Sequence, residues 1–254
     1  MWTDRPHLQV LAPILPLFYH RTDVEMRERA ARYFGAAKKA INALKGYYTE
    51  VLPSICKLLP INRPNPAFPY QKEYTSLKDS TKQTFEYARQ LFADKLVFRA
   101  VGAKDNDICV KFVRRYSKDV HLQCSALGFA PALRGFESLP GGWHMVVMDF
   151  VDDTYELLDD SPFKPLFSNE VRERLVQLHQ AGWVHGDVRA INIMVKKNGQ
   201  PGIMLLDFDW AGKIGEVRYP INVNVTEVRR PDGAIDKKLV LAEHDMAMIG
   251  YMFS

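Results

Sequence analysis

Between residues 22 and 52, apolar or small side chains recur at Met26, Ala30, Tyr33, Ala37, Ile41, Leu44, Tyr48 and Val51. Steps of three and four place them on one stripe of a helix, so the pattern predicts a long amphipathic helix that buries this stripe. Thr22 and Glu25 have capping-box spacing at its start. Arg27, Glu28, Lys38, Lys39 and Lys45 fall on the opposite face, expected to be solvated. Gly35 and Gly46 weaken the helix locally. Five prolines between positions 53 and 69 end the pattern. Proline removes an amide donor and disfavours helix in the residue before it, so an extended linker or wrapping loop is expected here. A further short helix is expected over 79–93.

From about residue 95 the texture becomes strand-like. Lys95 to Ala100 has the composition of a strand, Lys104-Asp105-Asn106-Asp107 that of a turn, and Ile108 to Val113 (ICVKFV) that of a second strand. A helix is expected from about Ser117 to Leu127, stopped by Gly128. The run WHMVVMDFV, Trp143 to Val151, follows a Pro-Gly-Gly turn and predicts a buried strand. Residues 169–182 return to helical spacing, with Val171, Leu175, Leu178 and Ala181 on one face. No internal repeat is visible. The segments group as a helical extension with a proline-rich linker over 1–90, a small sheet with one helix over 91–151, and a second lobe over 152–254.

Composition narrows the class without naming it. Of 254 residues, 47% are hydrophobic and 25% charged, the balance of a globular chain rather than a disordered or disulfide-dense one. A formal charge of +4 is too mild to argue for nucleic acid or an anionic membrane as partner. Cys56, Cys109 and Cys124 form no CxxC pair, so they are expected to be reduced, buried thiols of a cytoplasmic or nuclear protein. The start, MWTDRPHLQV, lacks the basic and apolar regions of a signal peptide. The apolar stretch Leu8 to Tyr19 is interrupted by Pro13 and Pro16, well short of the ~20 residues of a membrane span.

Candidate chemistry gathers after the 169–182 helix. The sequence runs His185-Gly186-Asp187-Val188-Arg189-Ala190-Ile191-Asn192, then a short strand, an Asn198-Gly199 turn, and a strand ending in Leu205-Leu206-Asp207-Phe208-Asp209. A hairpin would fold positions 192 and 207 against each other on rigid apolar strands. A carboxylate that takes a hydroxyl proton, with hard oxygen ligands close by, is what magnesium-dependent phosphoryl transfer requires. Rigid presentation matters because positioning and electrostatics supply nearly all of that catalysis.

At these residues the chain resembles the protein-kinase-like superfamily. The resemblance spans roughly residues 95–250 and, in GFAPAL, GGWHMVVMDFV and LLDFDWAGKIGEVRYP, is similar to a small fungal protein-kinase-like family. It implies an α+β, two-lobed fold with a shortened carboxyl lobe, following the amino-terminal extension. It also implies ATP and Mg²⁺ as cofactors. On that basis Lys111 would pair with nucleotide phosphates, and Asp149, Phe150 and Val151 would form the hinge that holds adenine. Asp187 would be the catalytic base, with Arg189 near the γ-phosphate. Asn192, Asp207 and Asp209 would be metal ligands. His185 would orient the loop, and Asp245 would brace it.

Several positions depart from the pattern. No GxGxxG precedes Lys111, and no glutamate partner for it is evident, Asp119 and His121 being nearest. Gly186 replaces the arginine that reads a phosphorylated activation loop, so no such switch is expected. Asp209 stands where DFG has glycine, and no APE sequence precedes Asp245. The expected activity is transfer of the γ-phosphate to a hydroxyl, of a protein Ser/Thr or of a small molecule as in aminoglycoside and choline kinases. Two other readings are a nucleotide-binding pseudokinase and an interaction protein acting through residues 1–90.

Overall fold

The computed structural model describes residues 23–51, 68–103 and 106–254. Thr22, the linker over 52–67 and the first half of the 104–107 turn lie outside them, as does Cys56. The chain divides into two compact units, Met1–Gln71 and Lys72–Ser254.

In the first unit, helix α1 (Val24–Gly46) continues as a π-helical turn over Tyr47–Val51. Its N-cap is Asp23, whose carboxylate accepts the Met26 amide at 2.9 Å, one residue beyond the expected Thr22. Ala30 is buried and Met26 half-buried, but Tyr33, Ala37, Ile41 and Leu44 of the expected buried stripe are exposed, Ile41 by 64% and Leu44 by 53%. Periodicity is a local property that fixes which face is apolar. Burial requires a second surface, and the described part of this unit supplies none.

The second unit begins with an antiparallel sheet. Its strands are β1 (Glu73–Thr75), β2 (Lys82–Gln90), β3 (Val97–Gly102), β4 (Asp107–Val113), β5 (Leu133–Leu139) and β6 (Trp143–Asp149). Their spatial order is β1-β2-β3-β4-β6-β5. Residues 82–90 are therefore strand, not the helix expected over 79–93, and the sheet lobe starts by residue 73 rather than 91. The reason is a short period-two pattern. Gln83, Phe85 and Tyr87 are shielded and alternate with exposed Thr84, Glu86 and Ala88. No sequence pattern predicts strand β5.

The two sheet edges meet. Ser76 bridges Gly135, and the Leu77 amide donates to the Arg134 carbonyl at 2.8 Å. Gly135 permits this approach, since a Cβ there would collide with the Tyr74 ring. Inside runs an aromatic series, Tyr74, Phe85, Tyr87, Phe98 and Phe112, with successive centroids 5.1 to 6.2 Å apart. Each such pair adds ~1 kcal/mol beyond the area it buries.

Helix α2 (Lys118–Ala126) buries Val120, His121 and Cys124, and Gly128, with φ +79°, turns the chain after it. The second lobe contains β7 (Tyr155–Leu157), α3 (Ser168–Gln180), β8 (Trp183–Val184), β9 (Ile193–Lys196), β10 (Ile203–Leu205), β11 (Gly212–Lys213) and α4 (Ala242–Met252). Val171, Leu175 and Leu178 of α3 join Ile193, Val195, Ile203, Leu205, Phe208 and Ile249 in one core; Ala181 lies past the helix and is exposed. Among the described residues no helix is long and apolar enough to cross a membrane. Cys109 and Cys124 are unpaired thiols, and burial raises both above the usual range, Cys109 to about 12.

His121 is fully buried, with Nδ1 2.8 Å from the Tyr116 hydroxyl and Nε2 2.8 Å from the Pro131 carbonyl. Since a carbonyl only accepts, Nε2 carries the proton and Nδ1 accepts from Tyr116. Burial pushes the imidazole down to about 4, against the pull of the Pro131 carbonyl. The unfolded chain takes up the proton below ~6.5 and the folded chain resists it. Stability present at pH 7 is therefore lost as pH falls from ~6.5 toward 4, by about 3 kcal/mol in all. Urea unfolding at pH 7 and pH 4.5 should show that loss in the wild type and a smaller one in His121→Gln.

Candidate functional site

The polar residues of the site are fixed by backbone pairing. Strand β4 lies between β3 and β6, with Lys111 opposite Val97 on one side and Val146 on the other. The root of the Lys111 side chain is thus held from both edges. In the second lobe β9 and β10 pair antiparallel, Ile193 opposite Leu205, and the Leu206 amide donates to the Asn192 carbonyl at 2.8 Å. That hairpin brings Asn192 and Asp207 together, as its spacing predicted. Gly212 pairs with Val184, which ties the segment after Asp209 to the start of the His185 loop.

Lys111 joins the lobes. Its Nζ donates to Asp207 Oδ1 at 2.7 Å and Asp209 Oδ1 at 2.6 Å, and it is 9% exposed. Burial alone would lower the ammonium, but the two carboxylates outweigh it and raise it. Burial would likewise raise Asp207, yet the Lys111 charge holds it below the usual carboxylate range. Asp209 is raised, first by burial and then by the negative charge of Asp207. The helix partners considered for Lys111 are not used: His121 is engaged with Tyr116 and Pro131, and no hydrogen bond joins Asp119 to the lysine among the described residues.

Asp187 is nearly buried and its carboxylate is filled with donors. Oδ1 accepts from Arg189 Nε at 2.9 Å and Arg230 Nη2 at 2.8 Å, and Oδ2 from Arg189 Nη2 at 2.7 Å and Asn192 Nδ2 at 3.1 Å. Asn192 Nδ2 also donates to the Asp187 carbonyl at 2.9 Å, while Asn192 Oδ1 accepts no hydrogen bond among the described residues.

Asp245, at the start of α4, organises the loop. Oδ1 accepts the Gly186 amide and Oδ2 the His185 amide, each at 2.8 Å, and His179 Nε2 lies 3.1 Å from Oδ2. Gly186 has φ +82°, and a Cβ there would lie 3.0 Å from the Trp210 carbonyl oxygen. Glycine is therefore demanded at that step by backbone conformation and space. His185 Nε2 is 2.9 Å from the Leu206 carbonyl, so the imidazole orients the loop, and its ring meets Phe208 edge-on at 5.4 Å. Phe208 also stacks on His121 at 4.6 Å, linking α2 to the loop. Asp207 itself sits at φ +66°, a conformation that costs ~1 kcal/mol or more outside glycine.

A cavity of about 390 Å³ is lined by Lys111, Asp187, Arg189, Asp207 and Asp209, together with Lys95, Trp143 and Trp210. Asn192 is tied to this group through Asp187. Asp149, Phe150 and Val151 are not part of the lining. The Asp149 carboxylate is paired bidentately with Arg134, and the Phe150 ring lies under the Arg99 guanidinium at 4.9 Å. The Asp149 and Phe150 amides are taken as well, donating to the Ala132 and Asp107 carbonyls at 2.9 and 3.3 Å. The β2–β3 tip contains no glycine and is pinned by hydrogen bonds: the Leu91 amide donates to the Val97 carbonyl, Gln90 Nε2 to the Lys95 carbonyl, and the Phe112 amide to the Leu96 carbonyl. Sequence reasoning missed Lys95, Trp210 and Arg230. Arg230 lies in an irregular segment with no periodicity, so nothing in the sequence marks it.

No protein-family model matches this chain, and no curated protein matches it. Solved structures do. The structure of the Cydia pomonella granulovirus kinase PK-1 is 18% identical, with a TM-score of 0.44 over 52% of this chain and 53% of that one, so the aligned region spans about half of the viral kinase. Vaccinia related kinase 3 is also 18% identical, with a TM-score of 0.51 over 74% of this chain and 68% of that one. The second likeness, together with the sheet lobe and helical lobe described above, defines the fold as protein-kinase-like and two-lobed.

Replacing Asp245 by alanine would strand two buried amides. We expect Asp245→Ala to lose about 3 kcal/mol of stability and Asp245→Asn, which keeps an acceptor, appreciably less. Urea denaturation of the two variants beside the wild type checks this order.

Proposed function

We propose that this chain is an ATP-dependent phosphotransferase that moves the γ-phosphate of Mg-ATP to a hydroxyl, with a protein Ser/Thr as acceptor. The observation that carries the reading is the convergence of Lys111, Asp187, Arg189, Asp207 and Asp209 on one cavity wall, with Asn192 hydrogen-bonded to Asp187.

The donor set fits the proposed cofactors. Asp207, Asp209 and Asn192 Oδ1, which accepts no hydrogen bond among the described residues, are hard oxygen ligands of the kind Mg²⁺ takes. No cluster of three His, Cys, Asp or Glu able to hold a metal exists among the described residues. The set is two carboxylates and an amide oxygen, which leaves positions for phosphate and water, as Mg²⁺ prefers. A cationic group, the Lys111 ammonium, already sits between the carboxylates. Bound magnesium would neutralise charge on the transferring phosphoryl group.

Each residue then has a defined task. Lys111 exchanges its carboxylate contacts for phosphate oxygens, a move its long side chain allows. Asp187 orients the acceptor hydroxyl and takes its proton. Arg189 turns from Asp187 toward the γ-phosphate. Of Asp149, Phe150 and Val151, the first two have their amides engaged, and Val151, which makes no backbone–backbone hydrogen bond among the described residues, is the one that meets adenine.

Turnover of Mg-ATP by the wild type, read as ADP release with a mixed Ser/Thr peptide pool as acceptor, should fall by at least about a hundredfold in Asp187→Ala. Equal background rates in both proteins would remove the reading. Independently, Mg-ATP at a hundredfold excess over Kd should stabilise the fold by about 2.7 kcal/mol. A thermal shift without turnover would identify a binding module instead.

A further inference from the structure

The donors on Asp187 are not equivalent. A carboxylate has about four lone-pair sites, and here four contacts fill them: two from Arg189, one from Arg230 and one from Asn192. An acceptor hydroxyl can reach Asp187 only if a donor leaves. Arg189 is 30% exposed, lines the cavity, and contacts no other carboxylate among the described residues. The Arg230 side chain is 4% exposed. Its guanidinium lies over the Trp210 ring at 4.7 Å, and its Nε donates to the Asn224 carbonyl at 3.1 Å. The Trp210 ring is in turn set edge-on against Tyr219 at 5.8 Å. Three separate contacts therefore hold Arg230 in place, while Arg189 stands at the open wall.

We propose that Arg230 is a positioning residue for phosphoryl transfer. It stays bound to Asp187 Oδ1 when Arg189 is drawn away by nucleotide phosphates, and so fixes the carboxylate for the acceptor hydroxyl. The proposal rests on the phosphotransferase reading and adds to it a division of labour between a mobile and a fixed arginine. The physical basis is competition for a planar donor. A guanidinium binds phosphate bidentately as well as it binds carboxylate, so arrival of the triphosphate moves the accessible arginine. The stacked, desolvated one has no access to the ligand and a larger packing loss on leaving. Nucleotide arrival thereby opens one edge of Asp187 while the other remains anchored.

The test uses the full chain with Mg-ATP and the mixed Ser/Thr peptide pool. Arg230→Met keeps apolar contact with Trp210 and removes the donors, whereas Arg230→Lys keeps a cation. The expected result is a fall in kcat of at least about tenfold in Arg230→Met, with KM for Mg-ATP changed less than about threefold and partial rescue in Arg230→Lys. In the Asp187→Asn background, Arg230→Met should cost little more, because the two residues act as a unit. A rise in kcat would overturn the proposal by marking Arg230 as an occluding side chain. Unchanged kcat, or additive losses in the double variant, would overturn it as well.

A second readout does not depend on turnover or on the variants folding. In arginine side-chain NMR spectra of the wild type, a Mg-bound non-hydrolysable ATP analogue should shift the Arg189 Nε–H resonance and leave that of Arg230 in place. Joint movement of both overturns the proposal while leaving the phosphotransferase reading intact. No turnover and no response at Arg189 removes that reading, and the proposal with it.

Discussion

The Lys111 ammonium between Asp207 and Asp209 is the interaction on which the site depends. It is the direct polar link between the central strand of the sheet lobe and the end of the β9–β10 hairpin. Taking such charges out of water costs several kcal/mol per ion, and short charge-assisted bonds offset this only when the geometry is good. The geometry is good because both ends are anchored: Lys111 by strands on either side, Asp207 by the hairpin. Two carboxylates facing one ammonium also leave an excess of acid, which is why Asp207 and Asp209 move in opposite directions. Under the phosphotransferase reading proposed above, a metal ion would take the carboxylates and phosphate the lysine.

Behind these charges the rigidity is supplied by groups that touch no ligand. Asp245 satisfies two consecutive buried amides of the His185 loop. His185 meets Phe208 edge-on, and Phe208 stacks on His121. The left-handed backbone at Gly186 and at Asp207 is held by these contacts. Local strain at Asp207 persists because the surroundings over-determine it. The outcome is a loop and a hairpin that present Asp187, Asn192 and Asp207 with little freedom, the rigidity that the proposed phosphoryl transfer would need.

The sequence was most legible where local pattern and tertiary role agree. Helix α3, strands β4, β6, β9 and β10 and the turn between the last two follow from periodicity and turn chemistry, and the meeting of Asn192 and Asp207 follows from the hairpin. It was misleading where a strand is short and half exposed. In β2 the period-two pattern spans only a few residues, too few to mark a strand, and in β5 Gly135 and the surrounding polar residues mask the strand character. The apolar stripe of α1 lies on a helix as its spacing predicts, yet Ile41 and Leu44 stay exposed, since spacing says nothing about what covers a face.

What the sequence determined by itself is the chemistry available: which carboxylates, amide and lysine exist, and which of them a hairpin must bring together. Those relations span few residues and are dictated by strand pairing and turn geometry. What only the tertiary structure decided is which groups meet across long separations. Lys111 found Asp207 and Asp209 rather than a helix partner, the two sheet edges met at Gly135, and Arg230 reached Asp187 across 43 residues. No local rule encodes such contacts, because each depends on packing of whole elements and on the need to pair every charge that packing buries.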